Sequence, residues 1–313
     1  MNSRENGSKP AKIIIIGASG LLGSAAVMEL TNKHDLSGTF LKHRIHYKKS
    51  RFWPLDICDK AQVRAVLDEA QPTCVFQTAA AVNIDQCEES RDWAYKTNVE
   101  ATRFFSEYCA LNSIKHIFVS TDAFYNKPNK LFTEEDEPTP LNYYSETKLL
   151  ADKAVLEVAA DHLIIRTNFY GWNMQNKESL GEWMYFKLKN KQPFPAVFDV
   201  FYTPILNTRL VHLIEQLWIK DARVTFNVGG SKRISKLEFA QMLCEVFGFD
   251  KSLIKPSSVA DLKLKARRSS NMAMSTEKLC KFLGVTLPAP IDDLHEFKRQ
   301  LETGYVDKLK AMV

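Results

Sequence analysis

Lys12-Ile13-Ile14-Ile15-Ile16-Gly17-Ala18-Ser19-Gly20-Leu21-Leu22-Gly23 decides how the rest of this 313-residue chain is read. A short, continuous β-branched run is the pattern of a strand buried on both faces of a parallel sheet. A glycine turn follows at once, then an apolar-periodic helix through Leu30. Strand, glycine turn and helix in succession form the setting in which a dinucleotide phosphate is cradled. Gly17 allows the tight turn, Gly20 lets backbone approach a pyrophosphate, and Gly23 lets helix pack on strand. The helix N-terminus then faces the phosphates, with Ser19, Leu21 and Leu22 in the same turn.

Downstream, the second strand, near Leu36 to Leu41, runs into Lys42-His43-Arg44. A cofactor without a 2′-phosphate usually meets an acid here. Two cations and an imidazole suit a 2′-phosphate, which favours NADP(H) over NAD; the alternative is a solvated basic loop from Lys42 to Arg51. Phe52 to Ile57 reads as a third strand. Asp56, beside Ile57, is placed to accept the adenine amino group or to cap the next helix. Helix Ala61 to Ala70 leads to strand Thr73 to Thr78. Ala79-Ala80-Ala81 then lets backbone lie against a flat cofactor, or serves as packing spacers. A helix carrying Asn98, counted with the cofactor residues, precedes strand Ile117 to Ser120. Strands alternating with helices predict an α/β fold with a doubly wound parallel sheet. Ligands then sit outside the carboxyl ends of the strands, where Gly17, Asp56, Ala79 and Thr121 all fall.

Ile117-Phe118-Val119-Ser120-Thr121-Asp122 and Tyr144-Ser145-Glu146-Thr147-Lys148 carry the candidate chemistry. Tyr144 and Lys148, four apart, share one face of a helix. A lysine charge near a phenol favours the phenolate and lowers its pKa. Thr121 at a strand end would hold a carbonyl oxygen while Tyr144 passes it a proton, as in carbonyl reduction or alcohol oxidation. Tyr185 and Lys189 have the same spacing but lie in an ordinary amphipathic helix, Leu180 to Lys189.

The remaining segments are strand Leu163 to Arg166, an apolar-periodic helix within Pro204 to Trp218, strand Val224 to Val228, helix Lys236 to Phe247 and a C-terminal helical region, Ile291 to Lys310. The expected organisation is a polar disordered tail (1–10), a cofactor domain (11–166, with return segments near 203–228) and a smaller substrate lobe (167–202 and 229–313), with a cleft between the lobes.

A formal charge of +5 suits an anionic ligand and is too small to argue for nucleic acid. No apolar run reaches membrane-spanning length, and the N-terminus lacks the apolar core of a signal peptide. Six cysteines without a C-x-x-C pair read as reduced, buried thiols of a cytoplasmic protein. His43 and His46 are the only close histidine pair and read as solvated, so no metal site is expected. Neither a P-loop nor a G-x-S-x-G elbow occurs.

In order, Gly17-x-x-Gly20-x-x-Gly23, Ser120-Thr121-Asp122, Pro140-Leu141-Asn142-Tyr143-Tyr144-x-x-x-Lys148 and Arg166-Thr167-x-x-Tyr170-Gly171 resemble the extended short-chain dehydrogenases/reductases. Within these, the chain is most similar to the dTDP-4-dehydrorhamnose reductase family. Leu55-Asp56-Ile57, the turn through Val82 with Asp85 and Glu88, Thr203-Pro204 and Arg267-Arg268-Ser269-Ser270-Asn271 add to the likeness. The resemblance implies a catalytic set of Thr121, Tyr144 and Lys148. It implies reduction by NADP(H) of the C4 ketone of a nucleotide-activated deoxysugar, with Lys148 also holding the nicotinamide ribose. Val82, Asp85, Thr121, Asp122, Asn168, Trp172 and Arg268 are the implied substrate residues, and a homodimer stays open. Ala123 departs from the family's aromatic after Thr-Asp, and Ser269 from its Arg-Pro pair. Nucleotide-sugar 4,6-dehydratases resemble this family but place Glu after Thr-Asp, where this chain has Ala123. An epimerase, or a non-catalytic subunit resembling the methionine adenosyltransferase regulatory subunit, are the alternatives.

Overall fold

The computed structural model describes residues 11–158, 161–262 and 264–313; the expected N-terminal tail lies outside them. Seven parallel strands form the central sheet. β1 (Lys12–Ile16) lies mid-sheet, flanked on one side by β2 (Asp35–Phe40) and β3 (Arg51–Pro54). On the other side lie β4 (Cys74–Gln77), β5 (Lys115–Val119), β6 (His162–Thr167) and the edge strand Val224–Val228. The order reverses between β1 and β4, so the crevice of a doubly wound sheet opens at the carboxyl end of β1.

The unbroken isoleucine run of β1 has a direct cause. Ile13 and Ile15 face one core, with α1 (Leu21–Leu30) and α8 (Asn207–Ile219). Ile14 and Ile16 face a second core, with α2 (Lys60–Ala70) and α5 (Ala101–Leu111). Covered on both faces, each Ile contributes roughly 1.5–3 kcal/mol of burial. The first core continues without a break into Tyr170, Trp172, Phe239 and Phe297. It therefore joins the central sheet to α7 (Leu180–Lys189), α9 (Lys236–Phe247) and α11 (Pro290–Glu302).

Several boundaries move. β3 stops at Pro54 on the sheet edge, short of the expected Ile57, where its partner β2 ends at Phe40. Asp59, not Asp56, caps α2, accepting from the N–H groups of Ala61 and Gln62. The expected helix around Asn98 is several pieces: α3 (Ile84–Glu89), α4 (Arg91–Tyr95), a π-helical turn (Lys96–Glu100) and α5. The C-terminal helix is cut at Gly304, whose φ of 74° starts a separate helix, Tyr305–Lys310. All six cysteines are free, but Cys58 is exposed, not buried as expected. Among the described residues no helix is long and apolar enough to cross a membrane, and no group of three His, Cys, Asp or Glu is placed to hold a metal.

Candidate active site

One cavity of about 1230 Å³ runs along the carboxyl edge of the sheet. From the β3 side inward it is lined by Asp56 and Ile57, then Leu41 after β2, then Gly17, Ser19, Gly20, Leu21 and Leu22 after β1. Ala79, Ala80 and Val82 follow after β4, Thr121 and Asp122 after β5, and Asn168 after β6. Tyr144 and Arg268 complete the predicted residues that face it.

The turn at Gly17 is held by β2. Gly17 N–H donates to Thr39 Oγ1 at 3.2 Å, and Ala18 N–H to the Thr39 carbonyl at 2.7 Å. Gly17 has a φ of 91°, in the left-handed region that glycine adopts without strain. Helix α1 starts at Gly20 with no side-chain cap and no acid in its first turn. Its first N–H groups and the positive end of its dipole therefore favour an anion.

Tyr144 lies in the first turn of α6 (Tyr143–Glu157), placed by the Asn142 capping box. Its phenol and the Thr121 hydroxyl line the same stretch of cavity, and Thr121 Oγ1 accepts from Ala123 N–H at 3.1 Å and donates to Asp122 Oδ1 at 3.5 Å. Burial pushes the phenol up to about 12, with the Asp122 charge acting in the same direction. The expected depression by Lys148 is thus corrected. The Lys148 ammonium donates to the Val119 carbonyl at 2.8 Å, lies 4.1 Å from the Phe118 ring centroid, and is pulled down to about 8 by its own burial. It does not line the cavity.

Asp122 is 1 % exposed, and burial raises its carboxyl to about 7. Asn168 Nδ2 donates to both its oxygens, at 3.1 and 3.0 Å. Because the folded protein keeps a proton that the unfolded chain releases near pH ~4, stability falls as pH rises from about 4 to 7. Asp122→Asn should flatten that slope, seen by comparing urea midpoints of the two proteins at about pH 5 and about pH 7.5. An unchanged slope would mean that Asp122 is ionised throughout.

The remaining expected site residues do not face the cavity. Gly23 sits behind the turn, where α1 crosses Gly17. Lys42, His43 and Arg44 are exposed just past Leu41, on a loop anchored by buried Ile45 and by the His46 N–H on the Met312 carbonyl. Asn98 is a buried clamp. Its amide accepts from Ala81 N–H at 2.8 Å and donates to the Ala81 carbonyl at 3.1 Å and to Thr147 Oγ1 at 2.9 Å. With both sides of the amide so engaged, Asn98 and buried Ala81 tie the turn after β4 to α6. Asp85 accepts from Arg268 Nη2 and from Ala266 N–H, each at 3.1 Å, so it orients Arg268. Trp172 is a core residue, stacked 4.1 Å from Phe297 and donating its indole N–H to the Phe297 carbonyl at 2.9 Å.

Sequence reasoning missed Asn173, Gln175, Lys177, Glu178, Ser179 and Lys236, which also line the cavity. The segment 173–179 folds onto the glycine turn through Gln175 Nε2, which donates to the Ser19 carbonyl at 2.5 Å. Lys310 donates to the Gln175 carbonyl from the C-terminal helix. No local pattern announces contacts of such sequence separation. Tyr185 of the second Tyr-x-x-x-Lys pair is buried in the first core, away from the cavity.

Residues 11–302 match the RmlD substrate binding domain. The chain belongs to that family. Among curated proteins it is 30% identical over 289 residues to the probable low-salt glycan biosynthesis reductase Agl14 of Haloferax volcanii, covering 90% of this chain and 95% of that one. It is 28% identical over 294 residues to methionine adenosyltransferase 2 subunit beta of Pongo abelii, covering 89% and 84%. The crystal structure of dTDP-4-dehydrorhamnose reductase from Bacillus anthracis, in complex with NADP, superposes with a TM-score of 0.84 at 24% identity, covering 93% of this chain and 100% of that one. That likeness shows the fold: the doubly wound sheet expected from the β1 run and its glycine turn.

Proposed function

We propose that this protein is an NADPH-dependent reductase of the C4 ketone of a nucleotide-activated 6-deoxy sugar. One observation carries the reading: the glycine turn and the Thr121–Tyr144 pair open into the same cavity. The kinship with a glycan biosynthesis reductase, and with the dTDP-4-keto-6-deoxy-D-glucose reductase of Streptomyces niveus (25% identical over 249 residues, 78% of this chain), supports the substrate class.

The residues fit a dinucleotide. The uncapped, acid-free N-terminus of α1 suits its diphosphate. Asp56 and Ile57 would flank the adenine, Ala79 and Ala80 would lie against the cofactor, and Lys42, His43 and Arg44 would reach the 2′-phosphate. When bound, the dihydronicotinamide supplies a hydride to the carbonyl carbon. Tyr144, a phenol that holds its proton at neutral pH, gives that proton to the carbonyl oxygen. Thr121 hydrogen-bonds the same oxygen. Ala123 stands where an elimination would require a glutamate base, which favours reduction over dehydration.

Mixing the protein with NADPH and dTDP- or UDP-linked 4-keto-6-deoxy sugars should bleach the dihydronicotinamide absorbance. The subunit beta relatives favour a second reading, a non-catalytic binding subunit. Normal NADPH binding with no turnover across that panel would decide for it. Cofactor choice has its own test: Arg44→Ala should weaken NADPH by about 10-fold or more, through loss of a charge-assisted contact, and leave NADH unaffected. Equal losses for both cofactors would remove Arg44 from the 2′-phosphate.

A further inference from the structure

Lys236 is the first residue of α9, directly after the N-cap Ser235, whose side chain accepts from Glu238 N–H. Its own N–H donates to the Val200 carbonyl at 3.1 Å. Its side chain lines the cavity with Asp122 and Arg268, and both of those charges act on it. Among the described residues the Lys236 ammonium has no hydrogen-bond or ion-pair partner. Asp122 attracts it from beyond ion-pair distance, and the Asp122 oxygens accept from Asn168 and Thr121 instead. Arg268 has Nη2 on Asp85 and Nη1 on the Ala266 carbonyl, one hydrogen bond at each nitrogen.

Two cations therefore face one stretch of cavity, and one of them is unpaired. Val197, Val200, Val259, Leu262 and Met272 line the same cavity, and apolar walls strengthen any charge–charge contact made there. Holding an ammonium half-buried and unpaired beside a like charge is unfavourable unless an anion completes the site. An anion that carries more than one charge spread over several oxygens can answer both cations at once. A diphosphate does, and Arg with Lys supplies the fork and the point charge that such a group accepts.

We propose that Lys236 binds the diphosphate of the substrate, as a second cation beside Arg268. This rests on the nucleotide-sugar reading above. It makes Lys236 a specificity-determining residue: a ketosugar lacking the diphosphate leaves its ammonium unpaired.

Calorimetric titration with dTDP and with UDP, using thymidine as the uncharged control, tests this. Lys236→Gln should weaken diphosphate binding by about 10- to 100-fold, leave thymidine and NADPH binding unchanged, and raise the KM for a nucleotide ketosugar far more than it lowers kcat. Lys236→Arg should restore most of the lost affinity. A wild-type protein that binds neither diphosphate overturns the nucleotide-sugar reading, and the role of Lys236 with it. Diphosphate affinity that persists in Lys236→Gln, with the wild-type melting temperature, overturns the role of Lys236 alone.

Discussion

Tyr144→Phe is expected to lower turnover of a nucleotide 4-ketosugar by about 10²- to 10⁴-fold, the range of a positioned general acid. NADPH binding should persist, because the ring still fills its place in the first turn of α6 and only the hydroxyl facing the cavity is lost. The burial that pushes this phenol to about 12 suits the reducing direction, since a donor must carry its proton at working pH. Stopped-flow absorbance for turnover and fluorescence quenching for NADPH separate the two effects. A variant that keeps the wild-type rate would remove Tyr144 as the proton donor.

Gly23→Ala should be the most damaging single-methyl change in the protein's glycine turn. A Cβ there would lie 2.1 Å from the Gly17 carbonyl oxygen and 2.9 Å from Ala18 Cα. Both are backbone atoms that cannot rotate aside, so α1 must lift away from β1. The expected cost is about 3 kcal/mol or more, read as a fall in urea midpoint together with loss of NADPH affinity. Gly20→Ala is the internal comparison. Its Cβ would meet only the Gly17 carbonyl, at 3.2 Å, and would point to the cavity lining. That change should cost less stability while still weakening the cofactor. If Gly23→Ala melts like the wild type, the close crossing of helix and strand is not what requires glycine here.

What could be read in advance follows the range over which the physics acts. The β1 run and its glycines are short-range signals, because burial on two faces and a helix crossing too close for a Cβ each leave a residue type at a fixed position. Tyr144 is set apart from Tyr185 only by context, a strand ending at Thr121 downstream of the glycine turn. Trp172 misled because a tryptophan beside a motif reads equally as platform or core, and the deciding partner, Phe297, lies 125 residues away. The amide of Asn98 is engaged by Ala81 and Thr147 rather than turned to the cavity, a clamp formed at a π-helical turn that no residue pattern marks. Gln175 and Lys236 reach the cavity only through tertiary contacts. The interruption at Gly304 was available in principle, since glycine is the residue that enters the left-handed region at least cost.

Incubation with NADPH deuterated at the transferring C4 position tests the proposed chemistry most directly. The sugar product, examined by NMR and mass spectrometry, should carry a single deuterium bonded to its C4, with one NADPH consumed per product. A reduced sugar without deuterium at C4, or NADPH that is bound but never oxidised across the ketosugar panel, would contradict hydride transfer at the Thr121–Tyr144 site.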